Sequence, residues 1–369
     1  MEAKNEKESS IGSTSAAHKP FDHNLTAFRG IFCVLIVLFH YTDSITIQDR
    51  SFLESLRSWH DFHLIKYADK NVYFFFLLSG YILTRAYLVS TDPPKGFLKR
   101  RWLRIFPLHL TILAAYSIRE LIFSRSSDGY YPWSALPLHA LLIHNWIPDG
   151  LPGILSDNLI TSLWSDWNFL AWTLSSEWFY YLLLALLLVF KKQYKITTRT
   201  LSVVIIFILI LIAFNELLTT RHLLNPRLLH IDGIFFLGGI LAALLIGKTK
   251  VCRSNLLQLG SICLYSLALL SQINYFLLFM SFLLIIKTFE DSETHTSRLI
   301  CNRLSIWIGK RSFSMFLLHF PVLNLSRPLL EFFGRFAVPA LFLLLLLFTE
   351  ISYRIFERRI YHRSKLNPV

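Results

Sequence analysis

Long apolar runs recur along the chain, separated by short polar segments. Ten of these runs have about the length that an α-helix needs to cross a bilayer, roughly 17 to 25 residues. They begin near Arg29, Val72, Leu103, Asn168, Leu201, Ile231, Leu256, Tyr275, Ser312 and Val338. A shorter run, Leu136 to Trp146, is too brief to cross and is predicted to be re-entrant or interfacial. The pattern predicts an all-α polytopic membrane protein, a bundle of about ten transmembrane helices.

Basic residues are concentrated in every second loop between the apolar runs. The basic loops span residues 95–101, 191–199, 248–253, 298–311 and 354–363. Because cytoplasmic loops carry an excess of Lys and Arg, these loops and both termini are predicted to be cytoplasmic. The long loop 124–167 has one arginine against four aspartates, so it is predicted to lie outside. Loop 45–70, which also contains basic residues, fits this alternation least well.

Composition excludes a soluble globular protein. The chain has 369 residues, is 54% hydrophobic and has a mean hydropathy of +0.47. Its net charge of +13 comes from the loops, which indicates membrane topology and no nucleic-acid partner. The four cysteines lack metal-ligand spacing, so neither a disulfide nor a metal site is predicted. We expect residues 1–20 to be a disordered cytoplasmic tail, 21–360 one membrane domain, and 361–369 a second cytoplasmic tail.

The first apolar run contains two ionisable residues, Arg29 and His40, with ten residues between them. Eleven helical steps of about 100° bring the second side chain to within roughly 20° of the first, so both face one side. An ionisable residue within a bilayer costs roughly 2.5 to 3.5 kcal/mol, so it needs a partner or a function. Arg29 could instead be an interfacial anchor, and His40 a structural core histidine. Asp43 lies one turn beyond His40 on the same face.

Other runs carry polar residues at similar depth. Ser79 lies about midway through the second run, Glu177 lies within the fourth, and His319 lies within the ninth. A carboxylate beside histidines is an arrangement that serves acid–base catalysis. His40 is the candidate general base, and Glu177 or Asp43 would orient its imidazole. For Glu177 and His319 a purely structural hydrogen bond is the alternative.

Two further groups of residues are candidates for binding. Arg101 and Arg104 lie one turn apart at the start of the third run, with Arg100 beside them, and guanidinium groups on one face can bind phosphates bidentately. The alternative is that these arginines only mark the cytoplasmic end of the helix. Five of the nine tryptophans lie in the long loop and at the start of the fourth run, including Trp167 and Trp172. They form either an interfacial aromatic belt or a platform on which a sugar stacks.

An ordered set of motifs resembles the acyltransferase-3 family of integral membrane O-acyltransferases. After the Arg29 and His40 pair come FFFLLSGYILT, RRWLRIFPLHL, WTLSSEWFYYLLL, FFLGGILAALL and IGKRSFSMFLLHFPVL. The resemblance extends from about residue 21 to 360. It implies an enzyme of about ten helices that transfers an acyl group, commonly acetyl, from acyl-coenzyme A to a hydroxyl. The acceptor would be a glycan, a lipid-linked sugar or a secreted small molecule, modified at a bacterial inner membrane.

The resemblance also implies roles for individual residues. Arg29 and His40 match the family's Arg/His motif, Arg101 and Arg104 its Arg-x-x-Arg motif, and Glu177 the acid of its W-S/T-L-S-V-E motif. Acyl-CoA would be the donor substrate, with no metal involved. Ser79, Trp167 and Trp172 are candidate contacts for the acceptor, and Arg100 for the donor.

The sequence departs from the family pattern at two positions. Ser176 stands where the family usually has Val, and Phe179 where it commonly has Gln. Some members carry a hydrolase-like domain after the membrane part, and this chain is expected to act through its membrane domain alone or with a partner. The rival interpretations are a proton-coupled secondary transporter and an enzyme of the membrane-bound O-acyltransferase type. No pairing of Gly- or Pro-interrupted helices, which such transporters usually show, is found in the sequence.

Overall fold

The computed structural model describes residues 23–46, 63–88, 96–123, 133–146, 170–218, 232–247, 249, 254–333 and 336–358. About 90% of the described residues are helical, and no strand occurs among them. The predicted all-α class is therefore confirmed for this part of the chain. The two predicted tails and most of loop 124–167 lie outside the described residues, so the proposed domain boundaries stay predictions.

The long helices of the described residues are numbered α1 to α10. Their bounds are α1 His23–Thr46, α2 Val72–Leu83, α3 Phe97–Phe123, α4 Ala171–Gln193, α5 Thr198–Leu218, α6 Asp232–Ile246, α7 Asn255–Leu270, α8 Tyr275–Phe289, α9 Arg303–Phe333 and α10 Ala337–Ser352. Helices α2 and α10 continue as π-helical turns, Thr84–Leu88 and Tyr353–Glu357. Short helical turns are found at His63–Lys66, Ala68–Asn71, Trp133–Ala135, Leu136–Ala140, His144–Trp146 and His295–Ile300.

Four segments within the described residues are long and apolar enough to cross a membrane. They are His23–Asp43, Phe97–Ile122, Ala171–Gln193 and Pro339–Glu357. Four shorter apolar helices accompany them, in α5, α6, α7 and α8. These helices fit an integral multi-pass membrane protein. The number of about ten spans and the cytoplasmic position of the termini remain predictions.

Glycines allow two pairs of helices to pack with their backbones in close approach. Helix α1 lies along α9, and α2 lies along α6. A Cβ atom added to Gly30 of α1 would lie 2.5 Å from the Ser305 carbonyl oxygen and 2.7 Å from the Gly309 nitrogen, both on α9. Gly80 and Gly239 make an equivalent close approach between α2 and α6. Small residues of this kind are what close helix packing in a bilayer requires.

Aromatic rings fill the space between the helices of the bundle. The ring of Phe32 on α1 contacts those of Phe74, Tyr265 and Phe282, with centroid separations of 4.7, 5.3 and 5.4 Å. The Tyr265 hydroxyl donates a hydrogen bond of 2.7 Å to Asn71, so a polar group of the interior is satisfied within this cluster. The cluster fixes α1, α2, α7 and α8 relative to one another.

Residues 133–146, here called the docked segment, pack onto the start of α4. The Ser175 hydroxyl donates to the Leu142 carbonyl at 2.7 Å, and the Trp146 indole donates to the Ser175 carbonyl at 3.0 Å. The segment contains the run Leu136 to Trp146 that was predicted to be re-entrant or interfacial. It forms short helical turns, and its depth in a bilayer stays a prediction.

Candidate active site

A cavity of about 400 Å³ lies between α1, α2, α3, α4, α9 and the turn after α10. Several of the residues singled out from the sequence line it, although they come from four different helices. These residues are Arg29, Ser79, Arg100, Arg101, Arg104 and Glu177. The fold therefore brings both predicted arginine motifs and the predicted acid to one place.

Two arginines of the cavity have their guanidinium groups placed against aromatic rings. Arg101 lies over the Tyr181 ring at 5.7 Å, and Arg104 lies over the Phe313 ring at 5.7 Å. Within the described part of the chain, no carboxylate comes within 4 Å of the side-chain nitrogens of Arg29, Arg101 or Arg104. Their hydrogen-bonding capacity is thus available to an anion in the cavity.

Arg100 is held differently from its neighbours. Its guanidinium donates to the Tyr87 hydroxyl at 3.3 Å and lies 5.8 Å from the centroid of the Tyr87 ring. Tyr87 belongs to the π-helical turn after α2 and also lines the cavity. The predicted binding contact of Arg100 therefore lies on the cavity wall, with its side chain ordered by an aromatic neighbour.

Two carboxylates share the cavity with the arginines. Glu177 accepts hydrogen bonds from the Ser79 hydroxyl, at 3.5 Å, and from the Tyr181 hydroxyl. Glu357, in the turn after α10, accepts from the Ser314 backbone N–H at 3.2 Å and from the Ser314 hydroxyl. Both carboxylates interact electrostatically with the cavity arginines at longer range.

Sequence reasoning missed Glu357. It stands in the run SYRIFERRI at the end of the last apolar stretch, where the surrounding arginines read as a topology signal. The only local indication was an acid placed directly before two arginines. The structure brings this acid into the cavity, because the π-helical turn Tyr353–Glu357 ends beside α9.

His40 and His319 stack on each other across the α1–α9 interface. Their ring centroids are 5.2 Å apart and their planes are inclined by 27°. His319 is fully buried, and its Nδ1 lies 2.6 Å from the Phe316 carbonyl oxygen. A carbonyl oxygen only accepts, so Nδ1 carries the proton and Nε2 of a neutral His319 is an acceptor. No hydrogen-bond partner for this Nε2 is found among the described residues.

The histidine pair adjoins the cavity but does not line it. Phe316 lines the cavity, and its ring centroid is 5.7 Å from that of His319, one helical turn further along α9. The predicted hydrogen bond between Glu177 and His40 is not formed, because Glu177 bonds to Ser79 and Tyr181 instead. The sequence placed the acid and His40 together from depth alone, and depth does not fix the direction in which each side chain faces.

The remaining predicted residues occupy the far end of the bundle or fall outside the described part. Asp43 lies one turn beyond His40 on α1 and is half-buried. Trp172, at the start of α4, is half-buried and packs against the aromatic core. Trp167 lies outside the described residues. No group of three or more His, Cys, Asp or Glu residues in the described ranges is arranged to hold a metal ion.

The two departures from the family motif both contact the docked segment. The hydroxyl of Ser176, which is fully buried, accepts a hydrogen bond of 3.1 Å from the Asn145 amide. The Phe179 ring meets the Trp146 indole edge-on, with the centroids 5.5 Å apart. A valine at 176 could not accept that bond, so the substitution agrees with the local structure of this chain.

Comparison with known proteins adds one finding to this geometry. No curated protein and no solved structure matches the chain. The family model described as an acyltransferase domain, that of the acyltransferase-3 family, matches residues 22–353, which is nearly the whole chain. The matched range includes the cavity arginines, Glu177 and both histidines of the stacked pair. The protein therefore belongs to the acyltransferase-3 family.

Proposed function

We propose that the protein transfers an acyl group, acetyl by preference, from acyl-CoA to a hydroxyl of a glycan, a glycolipid or a secreted small molecule. The observation that carries this proposal is the cavity with three arginines that have no carboxylate of the described residues within 4 Å. An anionic donor supplies the missing negative charge. The proposed location is a bacterial inner membrane, with the donor entering from the cytoplasm.

The donor has an anionic part and a largely uncharged part, and the cavity lining includes both arginines and apolar side chains. Arg29, Arg101 and Arg104 bind phosphate oxygens, for which the planar guanidinium group is well suited. Phe313 and Phe316 supply apolar wall on the α9 side. The cavity volume, about 400 Å³, falls within the range of small-molecule sites.

His40 acts as the general base in this proposal. The acceptor oxygen attacks the thioester carbonyl carbon while its proton passes to the His40 imidazole. The carbon–sulfur bond then breaks, and the thiolate leaving group takes the proton back from the imidazolium. The products are an ester of the acceptor and free coenzyme A. This route needs no covalent enzyme intermediate and no metal.

The other polar groups support this chemistry in different ways. His319 packs against the His40 ring and limits its rotation, and its tautomer is fixed by the Phe316 carbonyl. Glu177, whose predicted partner was His40, holds the hydroxyls of Ser79 and Tyr181 and offsets part of the arginine charge. Water exclusion around such groups strengthens their electrostatic action on the thioester.

Acyl transfer in proteoliposomes tests the proposal. Purified protein is supplied with acetyl-CoA labelled in the acetyl group and with an extract of membrane glycolipids, and labelled product is measured. His40→Ala is expected to lose roughly 10² to 10⁴ in turnover, the usual contribution of a general base. His295→Ala, an exposed histidine of a short helix outside the site, is the matched control. Full turnover of His40→Ala at normal abundance would contradict the assignment.

A further inference from the structure

A second cavity, of about 590 Å³, lies between the first turns of α9 and the end of α10. We call it the basic groove, and the charged residues that define it are Arg303, Lys310, Arg311, Glu350, Arg354 and Arg358. Arg303 is seven and eight residues before Lys310 and Arg311 on α9, and Glu350, Arg354 and Arg358 follow one another at intervals of four at and beyond the end of α10. Each group therefore presents one charged face to the groove. Of the described residues, five Lys and Arg side chains and one carboxylate line the groove.

Part of the groove is rigidly built. The Arg311 guanidinium lies between two aromatic rings, 4.1 Å from the centroid of Trp307 and 4.5 Å from that of Tyr353. Its Nε donates to Glu350 at 2.5 Å, and the Arg354 Nε donates to the same carboxylate at 2.6 Å. An arginine that only sets the membrane orientation of the chain does not need an ordered side chain. Glu350, the carboxylate of the groove, is thus occupied by two arginines.

Three basic residues of the groove have no carboxylate partner in the part of the chain that the structure describes. Within the described ranges, no carboxylate lies within 4 Å of the side-chain nitrogens of Arg303, Lys310 or Arg358. Like charges held around one concave surface raise the local concentration of anions. Phosphoryl groups are the biological anions that such a combination of Lys and Arg binds most readily.

The basic groove adjoins the cavity lined by Arg29, Arg101 and Arg104, which we call the arginine cavity. Lys310 and Tyr353 line both of them, so they form a shared wall. The groove extends from this wall toward the first residue of α9, while the arginine cavity extends toward Phe316 and the histidine pair. A ligand with two separated phosphoryl groups and an apolar end can therefore occupy both at once.

We propose that the basic groove binds the 3′-phosphate of the coenzyme donor, while the cavity arginines bind its diphosphate. This inference rests on the proposed function, since it concerns the same donor. Coenzyme A carries these phosphoryl groups on opposite sides of one ribose, and its thioester lies at the far end of the pantetheine arm. With the 3′-phosphate in the groove and the diphosphate in the arginine cavity, that arm extends along the arginine cavity toward Phe316 and the histidine pair.

Acetyl-dephospho-CoA, which lacks only the 3′-phosphate, tests the proposal directly. KM is measured for acetyl-CoA and for acetyl-dephospho-CoA in proteoliposomes of zwitterionic lipid, with wild type, Arg303→Gln and Arg358→Gln. Loss of one charge-assisted contact is expected to raise the KM for acetyl-CoA roughly tenfold. The same variants should raise the KM for acetyl-dephospho-CoA much less, because the contact is already absent with that donor. Arg199→Gln, an exposed basic residue of α5 away from both cavities, controls for a general loss of positive charge.

The outcomes separate this inference from the function on which it rests. No transfer from either donor would refute the proposed function itself. Transfer from both donors with an unchanged KM ratio in the groove variants would overturn the 3′-phosphate assignment. If the groove variants instead lose only the stimulation given by added anionic phospholipid, the groove binds a lipid headgroup and the proposal is wrong. A tenfold change confined to acetyl-CoA, with normal membrane abundance, supports it.

Discussion

Gly30→Ala tests whether the close contact of α1 with α9 holds the site together. The added Cβ would lie 2.5 Å from the Ser305 oxygen and 2.7 Å from the Gly309 nitrogen, whereas real Cβ atoms essentially never come closer than 3.0 Å. Both atoms belong to the backbone of α9, so neither can rotate away. The two helices must therefore separate by about 0.5 Å or more, and overpacking of this kind costs roughly 1 to 3 kcal/mol.

Alanine also favours the helix over glycine, by about 1 kcal/mol. We therefore expect Gly30→Ala to lower the free energy of unfolding by up to about 2 kcal/mol. Gly260→Ala is the matched control, because Gly260 lies within α7 and a Cβ there would meet no atom within 4 Å. This control should gain up to about 1 kcal/mol. Both variants are heated in the same detergent, and the folded fraction is followed by size-exclusion chromatography. The midpoint temperatures of the two variants are then compared with that of the wild type.

The displacement should affect activity as well as stability. Arg29 precedes Gly30, and His40 meets His319 across the same interface, so both predicted functional groups of α1 would move. A shift of about 1 Å in a catalytic group can reduce turnover by roughly 10²-fold. Gly30→Ala that is as stable and as active as Gly260→Ala would refute the reasoning.

Three further predictions concern the donor, the docked segment and the topology. Arg101→Ala and Arg104→Ala should raise the KM for acetyl-CoA more than they lower kcat. An unchanged KM would mean that these arginines do not bind the donor and only set the membrane orientation. Burial lowers the pKa of His139 from its ordinary 6.5 to about 4. The ring therefore binds a proton more readily when the docked segment is unfolded and the ring is exposed. The docked segment should accordingly lose stability as pH falls from about 6.5 towards 4. Hydrogen exchange of residues 133–146 measures this, and exchange independent of pH after correction for the intrinsic rate would contradict it. In a cysteine-free protein, Ser127→Cys should react with an impermeant thiol reagent from outside and Glu293→Cys should not; equal labelling would overturn the proposed orientation.

Much of the fold follows from the hydrophobic pattern. Helices α6, α7 and α8 begin within a residue or so of the positions where apolar runs begin. Helix α9 is different, because it starts at Arg303, well before the apolar run that begins near Ser312. Its first turns are amphipathic and line the basic groove, so an apolar criterion finds only the later part of the helix.

The sequence predicts which site residues share a face of one helix, but it does not predict which side chains of different helices contact each other. The spacing of Arg29 and His40 placed both on one face of α1, and that face does meet α9. The pairing of His40 with Glu177 was inferred from depth, and the structure gives His40 a different neighbour, His319. Crossing angles and helix rotations decide such contacts, and neither can be read from a single sequence.

The motif around Glu177 shows how a local departure depends on a distant segment. Ser176 interrupts the family pattern, and the sequence gives no reason for it. The reason lies in Asn145, which donates to the Ser176 hydroxyl from the docked segment. A buried hydroxyl is stable only with a hydrogen-bond partner, so residues 145 and 176 form a matched pair. Only the packing of the docked segment against α4 makes this visible.

The charges that line the arginine cavity support the proposal that an anion binds there. Among the described residues that line it, basic side chains outnumber carboxylates by five to two: Arg29, Arg100, Arg101, Arg104 and Lys310 against Glu177 and Glu357. An excess of positive charge within a membrane protein lowers its stability, since the charges repel one another and lose hydration. A cavity serving stability alone would be better filled by apolar side chains or by matched ion pairs. The fold instead uses Ser79, Tyr181 and Ser314 to hold the two carboxylates, which leaves the arginines turned toward the cavity. The unbalanced charge therefore favours a ligand that carries several negative charges, as the proposed coenzyme donor does.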